Sequence, residues 1–345
     1  MLATPSAALV VQTSFLGDVI LTTPLLTELA RRGPVDVLVT KAAAPLLEGH
    51  AAVRDVIVFD KRGSDRGVKG IRRMAKRLGW RADGSPRGIG VAYFAQMSLR
   101  SAVVPWLAKV PVRVGWTASK PGRLFYTKRV PYAREAHHAV RCWQLAFPDG
   151  ASATATMPAP SLYPGLRERA AVDALLKSPD PRPLVALSPG SVWGTKRWPH
   201  FPQLAALLAE RARLVVVGGP AEASLAAAIA AAVPGGAVVD ATGRLSLLAS
   251  AELIRRARVL VTNDSAPLHM ASAVGTPTVA IFGPTVPAFG FGPLAPASVV
   301  VEHESMPCRP CHHHGPDVCP LLHFRCMREL SAPLLESRVA ALLDR

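Results

Sequence analysis

Leu184-Val185-Ala186-Leu187-Ser188-Pro189-Gly190-Ser191-Val192-Trp193-Gly194-Thr195-Lys196-Arg197-Trp198-Pro199 is the stretch that decides the fold. Residues 184–187 form a short apolar run of the kind that is buried on both faces of a sheet, and a Pro/Gly/Ser-rich loop stops it. The loop opens into a helical pattern over 201–210. Strand, glycine-bearing loop and helix together make one unit of a parallel sheet covered by helices. Downstream the unit repeats, with strands at 214–217, 238–239, 259–262 and 278–282. Helices are expected at 221–232, 247–256 and 267–274.

Upstream the same alternation runs once already. Strands are expected at 9–12, 35–39, 56–59, 91–94 and 112–115, with helical patterns after the turn 13–18 through Leu29 and at 42–47. Between the two runs lies a break, 149–183, carrying Pro158, Pro160, Pro164, Pro179, Pro181 and Pro183 around a helix at 166–176. The expected organisation is α/β with two doubly wound parallel sheets: a first domain over 1–160, a second over 161–330, and a C-terminal helix within 331–345.

A chain of 345 residues, half of them hydrophobic, is long enough for two cores. The apolar stretch 7–29 is interrupted by Gln12, Asp18 and Glu28 and lacks a basic lead-in, so neither an export signal nor a membrane span is expected, which points to the cytoplasm. The formal charge is +16, and residues 54–141 alone hold 20 lysines and arginines against five acidic residues. A chain-wide preference for arginine would not concentrate the excess in one quarter. That quarter suits an anionic partner, whether nucleic acid, phospholipid or a phosphorylated glycolipid.

Three loops carry the chemistry. Gly17-Asp18 ends the turn after the first strand, where open α/β sheets face their ligands. Asp18 there is either a helix cap or a working carboxylate. The loop 188–199 places hydroxyls, two glycines and Lys196-Arg197 at a helix entrance, which suits a diphosphate. It lacks the Gly-Lys-Ser/Thr ending of a Walker A loop, and Gly-x-Gly-x-x-Gly is absent from the first strand–helix turn, which argues against a dehydrogenase. In the third, Thr262-Asn263-Asp264-Ser265, polar side chains stand ready to meet sugar hydroxyls or to cap a helix, with His269 one turn further on the same face.

Taken in order, Gly17-Asp18-Val19-Ile20-Leu21-Thr22-Thr23-Pro24, the loop ending Lys196-Arg197-Trp198-Pro199, and Thr262-Asn263-Asp264-Ser265 resemble the ADP-heptose:lipopolysaccharide heptosyltransferases, most nearly the heptosyltransferase II type. The likeness runs from about residue 8 to 330. It implies a GT-B fold, two Rossmann-like domains facing each other across a cleft, with the acceptor on the first and ADP-heptose on the second. Asp18 then matches the general base. Lys196 matches the lysine at the donor phosphates, with Ser191 and Arg197 in the same loop. Glu222 matches an acidic residue at the ribose, and Leu245 an apolar position beside adenine. Asp264, Ser265 and Ala266 match the loop at the heptose and phosphates, with His269 behind it. An inverting displacement follows, in which fixed cations do the work that a metal does elsewhere, so no catalytic cofactor is expected. The acceptor is a phosphorylated lipid A–Kdo–heptose, for which Arg113, His137, His138 and Arg141 are candidate contacts.

Two segments stand apart from these loops. Residues 68–81 place Val68, Ile71, Ala75 and Leu78 at helical spacing among Lys69, Arg72, Arg73, Lys76 and Arg77, which reads either as an ordinary surface helix or as a contact with the cytoplasmic face of the inner membrane. Cys308-x2-Cys311-x7-Cys319-x6-Cys326 reads either as a structural zinc or iron site or as free thiols. The basic quarter and a zinc module together suit a nucleic-acid-binding protein, but that leaves both anion loops unexplained and offers few aromatics to stack on bases. No nucleic-acid partner is expected. A GT-B transferase using another nucleotide sugar is the enzymatic alternative.

Overall fold

The computed structural model describes residues 6–120, 122–150, 156–177 and 179–345, so part of the proline-rich break lies outside the described residues. The chain divides into two units, Met1–Tyr163 and Pro164–Arg345. Each unit is a six-stranded, all-parallel sheet flanked by helices.

In the first unit the strands are β1 (Ala7–Gln12), β2 (Val35–Val39), β3 (Asp55–Val58), β4 (Ile89–Phe94), β5 (Val112–Trp116) and β6 (Lys128–Val130). The helices are α1 (Leu16–Ala30), α2 (Gly67–Arg77), α3 (Leu99–Leu107) and α4 (His138–Gln144). The sheet order is β3-β2-β1-β4-β5-β6. All six residues of β1 are buried because both faces are covered, so this strand shows no alternation. Asp36 sits fully buried in β2 and is neutralised by Arg54, through bonds of 2.8 and 2.7 Å, and by Arg87 at 3.2 Å.

In α2 the apolar stripe turns inward. Met74 and Leu78 join the core, Ile71 packs against it and Ala75 is buried, while Val68 stays 65% exposed. Its stripe is therefore already used by the unit's own core, and what the helix offers to solvent is its basic face. Arg73 and Arg77 on that face lean on Asp65 at 3.3 and 3.7 Å.

The second unit begins with α5 (Leu166–Leu175) and then repeats the pattern. Its strands are β7 (Leu184–Ser188), β8 (Arg213–Val216), β9 (Val238–Asp240), β10 (Val259–Asn263), β11 (Thr278–Phe282) and β12 (Val299–Glu302). Its helices are α6 (Phe201–Leu208), α7 (Ala223–Ala232), α8 (Leu247–Arg256), α9 (Ala266–Val274), α10 (Arg325–Arg328) and α11 (Ala332–Leu343). The order β12-β11-β10-β7-β8-β9 is again a doubly wound sheet. From α11, Leu335, Val339 and Leu342 enter the core beside α6.

Both sheets reverse winding direction next to their first strand, between β1 and β4 in one and between β7 and β10 in the other. At such a switch point the flanking loops diverge and leave a crevice at the carboxyl ends of the strands. That topology selects the loops after β1, β7 and β10 as ligand loops.

Candidate active site

In the first unit, Asp18 occupies the opening turn of α1. One carboxylate oxygen accepts the Phe15 N–H at 3.2 Å, which is the capping role the position suggests. The other lies 3.4 Å from Nε2 of His138 on α4. The Asp18 side chain is only 16% exposed. Burial raises its pKa to about 6 against the opposing pull of the Phe15 N–H. Such a carboxylate can take a proton near neutral pH. Behind it the Cys142 thiol, 3.5 Å from His138 Nε2, is pushed up to about 12 by burial and stays protonated.

Phe15 and Leu16 also line a cavity of about 790 Å³ bounded by the loops after β1, β2, β3 and β4. Lys41, Lys61, Arg62 and Arg100 line it as well. The one carboxylate among the lining residues, Asp60, is occupied by the backbone N–H groups of Gly63 and Ser64 at 3.0 and 3.1 Å. Lys61 donates to Thr13 O at 2.9 Å and Thr13 Oγ1 at 2.6 Å. Burial, then the charges of Arg100 and Arg62, lower its pKa. Four basic side chains and one occupied carboxylate give the cavity a positively charged lining, which suits an anion. The sequence reading missed these four residues. The signal that could have found Lys41, Lys61 and Arg62 is their position two to four residues after the ends of β2 and β3, whereas Arg100 lies in the first turn of α3.

The residues expected at an acceptor separate into two groups. His138 stands beside Asp18, and His137 caps α4 by accepting the Ala139 N–H at 3.2 Å. Arg141 and Arg113 are turned to structural work. Arg141 donates to Ala133 O, Arg134 O and Tyr132 Oη at 3.1, 2.8 and 2.7 Å. Arg113 donates to Phe125 O at 2.6 Å and Pro111 O at 3.3 Å, and also to Val110 O.

In the second unit the loops after β7 and β10 meet at the switch point. Lys196 Nζ lies 2.6 Å from Asp264 Oδ2, and Thr285 Oγ1 donates to the same oxygen at 2.7 Å. Asn263, fully buried, donates to Pro189 O at 2.8 Å and accepts the Trp198 N–H at 3.1 Å, so it stitches the two loops together and is not available to a sugar. Ser191 Oγ accepts the Trp193 N–H at 3.3 Å, while its carbonyl receives Arg197 Nε at 2.9 Å. Glu222 accepts the Gly219 N–H at 2.7 Å and packs against Gly190. A Cβ at Gly190 would lie 2.5 Å from Glu222 Cγ, so only glycine lets these two segments close up. Ser265 is the N-cap of α9 and Ala266 its first residue, with the helix amides directed at the crevice, an arrangement that favours phosphate. His269 is buried one turn on, its ring 6.2 Å from that of Phe291. Leu245 lies half-buried in the loop before α8. Ser191, Lys196, Glu222 and Asp264 are thus brought together in one unit.

The sequence leaves the four-cysteine segment open between a structural zinc or iron site and free thiols. Among the described residues no group of three or more His, Cys, Asp or Glu is placed to hold a metal ion. Cys311 Sγ bonds to Cys308 O at 3.0 Å, Cys308 Sγ faces His323 Nε2 at 4.0 Å, and burial raises the Cys326 thiol to about 11. None of the four is in a disulfide, and Cys326 packs into the core.

Residues 88–319 match the model of glycosyltransferase family 9 (heptosyltransferase). Lipopolysaccharide heptosyltransferase 1 of Pseudomonas aeruginosa is 33% identical, covering 88% of this chain and 85% of its own. Lipopolysaccharide heptosyltransferase 2 of Salmonella typhimurium is 28% identical, covering 81% and 84%. The solved structure of E. coli ADP-heptose LPS heptosyltransferase II superposes with a TM-score of 0.78 at 23% identity, covering 98% of each chain. The two doubly wound units are those of the GT-B fold, and the chain is a glycosyltransferase of family 9, the heptosyltransferase family.

Proposed function

We propose that this enzyme moves L-glycero-D-manno-heptose from ADP-heptose to the inner core of lipopolysaccharide, with inversion, in the manner of heptosyltransferase II. The observation that carries it is the pair of switch-point sites: a part-buried carboxylate with a pKa of about 6 in one unit, and a buried lysine beside a helix N-terminus in the other. On this reading the first unit takes the acceptor and the second the donor. Asp18 accepts the proton of the acceptor hydroxyl as that oxygen attacks the anomeric carbon, and the bond to ADP breaks on the opposite face. The diphosphate gains charge as it leaves, and Lys196 with the α9 amides balances it. Glu222 reaches the ribose and Leu245 the adenine.

Lys41, Lys61, Arg62 and Arg100 then meet acidic groups on the acceptor, in place of Arg113 and Arg141, whose guanidinium groups are used elsewhere. Among the described residues no helix is long and apolar enough to cross a membrane. The basic face of α2 supports electrostatic docking on the cytoplasmic side of the inner membrane, where each basic residue near an anionic surface contributes about 1 kcal/mol.

Turnover of ADP-heptose with lipid A–Kdo acceptors carrying no heptose or one is the test. Transfer to the one-heptose acceptor is expected. Transfer only to the heptose-free acceptor would assign the heptosyltransferase 1 reaction, as the Pseudomonas relative's name suggests. No transfer to either, with turnover of a UDP or GDP sugar instead, would overturn the donor.

A further inference from the structure

The cysteine-bearing segment is strapped across the donor loops at both ends. On one side Arg309 Nη2 donates to Thr285 O at 3.0 Å and to Glu302 Oε2 at 2.6 Å, and the Cys311 N–H donates to Pro284 O at 2.9 Å. Thr285 is the residue whose hydroxyl binds Asp264. On the other side the Thr195 N–H donates to Pro316 O at 3.2 Å, Thr195 Oγ1 bonds to the same carbonyl, and the Gly194 N–H reaches Asp317 Oδ1 at 3.5 Å.

These anchors hold residues 312–315 over the Lys196–Asp264 pair. Gly315 is buried at φ +81°, and a Cβ there would lie 3.3 Å from both Lys196 Cγ and Thr195 Oγ1. His314 is exposed, with its ring nearly parallel to that of Trp193, 17° between planes and 6.0 Å between centroids. Partial burial and then the charge of Lys196 lower its pKa, while Asp264 pulls the other way, so the imidazole feels both members of the pair.

Resting on the donor assignment above, we propose that residues 312–315 form a wall of the donor-phosphate site and that His314 is a donor-binding residue, giving an imidazole N–H to the diphosphate. No covalent step is involved. The cysteine-bearing segment then delivers this histidine to the phosphates.

Calorimetric titration of ADP and adenosine into the full chain and into His314→Ala, His314→Gln and Lys196→Ala decides it. His314→Ala is expected to weaken ADP about tenfold and leave adenosine unchanged, since one hydrogen bond to a charged group is lost. His314→Gln keeps an N–H donor and should stay within about threefold of wild type. In turnover, donor KM should rise more than kcat falls. Unchanged ADP affinity in His314→Ala, or equal weakening of ADP and adenosine, would overturn the proposal. Should Lys196→Ala also leave ADP affinity intact, the donor assignment itself fails. A loss in Lys196→Ala alone sinks only the role of His314.

Discussion

Lys196 Nζ lies 2.6 Å from Asp264 Oδ2, joining the loops after β7 and β10, with the two side chains 10% and 9% exposed. A buried pair adds little net stability when intact, but removing one partner strands the other charge at a cost of about 3–5 kcal/mol. Thr285 still donates to Asp264, so Lys196→Ala is expected to cost somewhat less, about 2–3 kcal/mol in denaturant unfolding, together with most of the affinity for ADP. The double variant Lys196→Met/Asp264→Asn removes both charges and should recover most of the stability without recovering ADP affinity. Recovery of both would show that the lysine serves only the fold.

Asp18 gives the second expectation. As a base it must be ionised, and burial places its pKa at about 6. At saturating donor, kcat/KM for the acceptor should therefore be flat above neutrality and fall about tenfold per pH unit below about 6. Asp18→Asn should abolish transfer while ADP still binds with nearly wild-type affinity. A variant that retains activity, or a wild-type profile flat to about pH 5, would remove Asp18 from the chemistry.

The same shift makes a stability statement of opposite sign to the usual carboxylate. Asp18 titrates at about 6 when folded against an ordinary 3.8, so the folded state holds a proton that the unfolded chain has released. Stability from this group is highest below about pH 3.8, falls as pH rises through the window from 3.8 to 6, and at neutrality the penalty is about 3 kcal/mol. Asp18→Asn should consequently raise the unfolding temperature of the first unit by several degrees at about pH 7.5 and by almost nothing at about pH 4. A destabilised variant at neutral pH would mean that the hydrogen bond from Phe15 outweighs the desolvation.

The loops that carry this site were legible because strand, glycine- or proline-bearing loop and helix follow one another without ambiguity at β1, β7 and β10. Two of the four edge strands, β6 and β12, were not. In β6 only Val130 of three residues is buried, and β12 has one fully buried position, so neither leaves an apolar run to read. In α3 an internal proline hides the helical pattern, and α4 is only seven residues long. Side-chain roles were harder still. Asn263 suits a sugar in sequence, yet the fold turns its amide onto Pro189 O and its carbonyl onto the Trp198 N–H. Arg141 suits a phosphate, yet it is buried against three oxygen acceptors of its own unit. Spacing places a residue on an element, whereas its partners come from loops distant in the chain.

The cavity in the first unit supplies the last expectation. Lys61 is held by Thr13 beneath two arginines, and Arg100 Nη1 reaches back to Lys61 O at 3.3 Å. Arg100 is exposed, so Arg100→Glu should fold normally. Reversing one charge opposite an anionic group should raise acceptor KM at least about tenfold and leave donor KM unchanged. Reversing Lys69, Arg72 and Lys76 on α2, by contrast, should weaken transfer only to acceptor embedded in anionic vesicles and spare a detergent-free, deacylated acceptor. If Arg100→Glu failed with vesicle-borne acceptor alone, the cavity would belong to the membrane-facing surface. If it changed neither, the acceptor's acidic groups would have to be bound elsewhere on the unit.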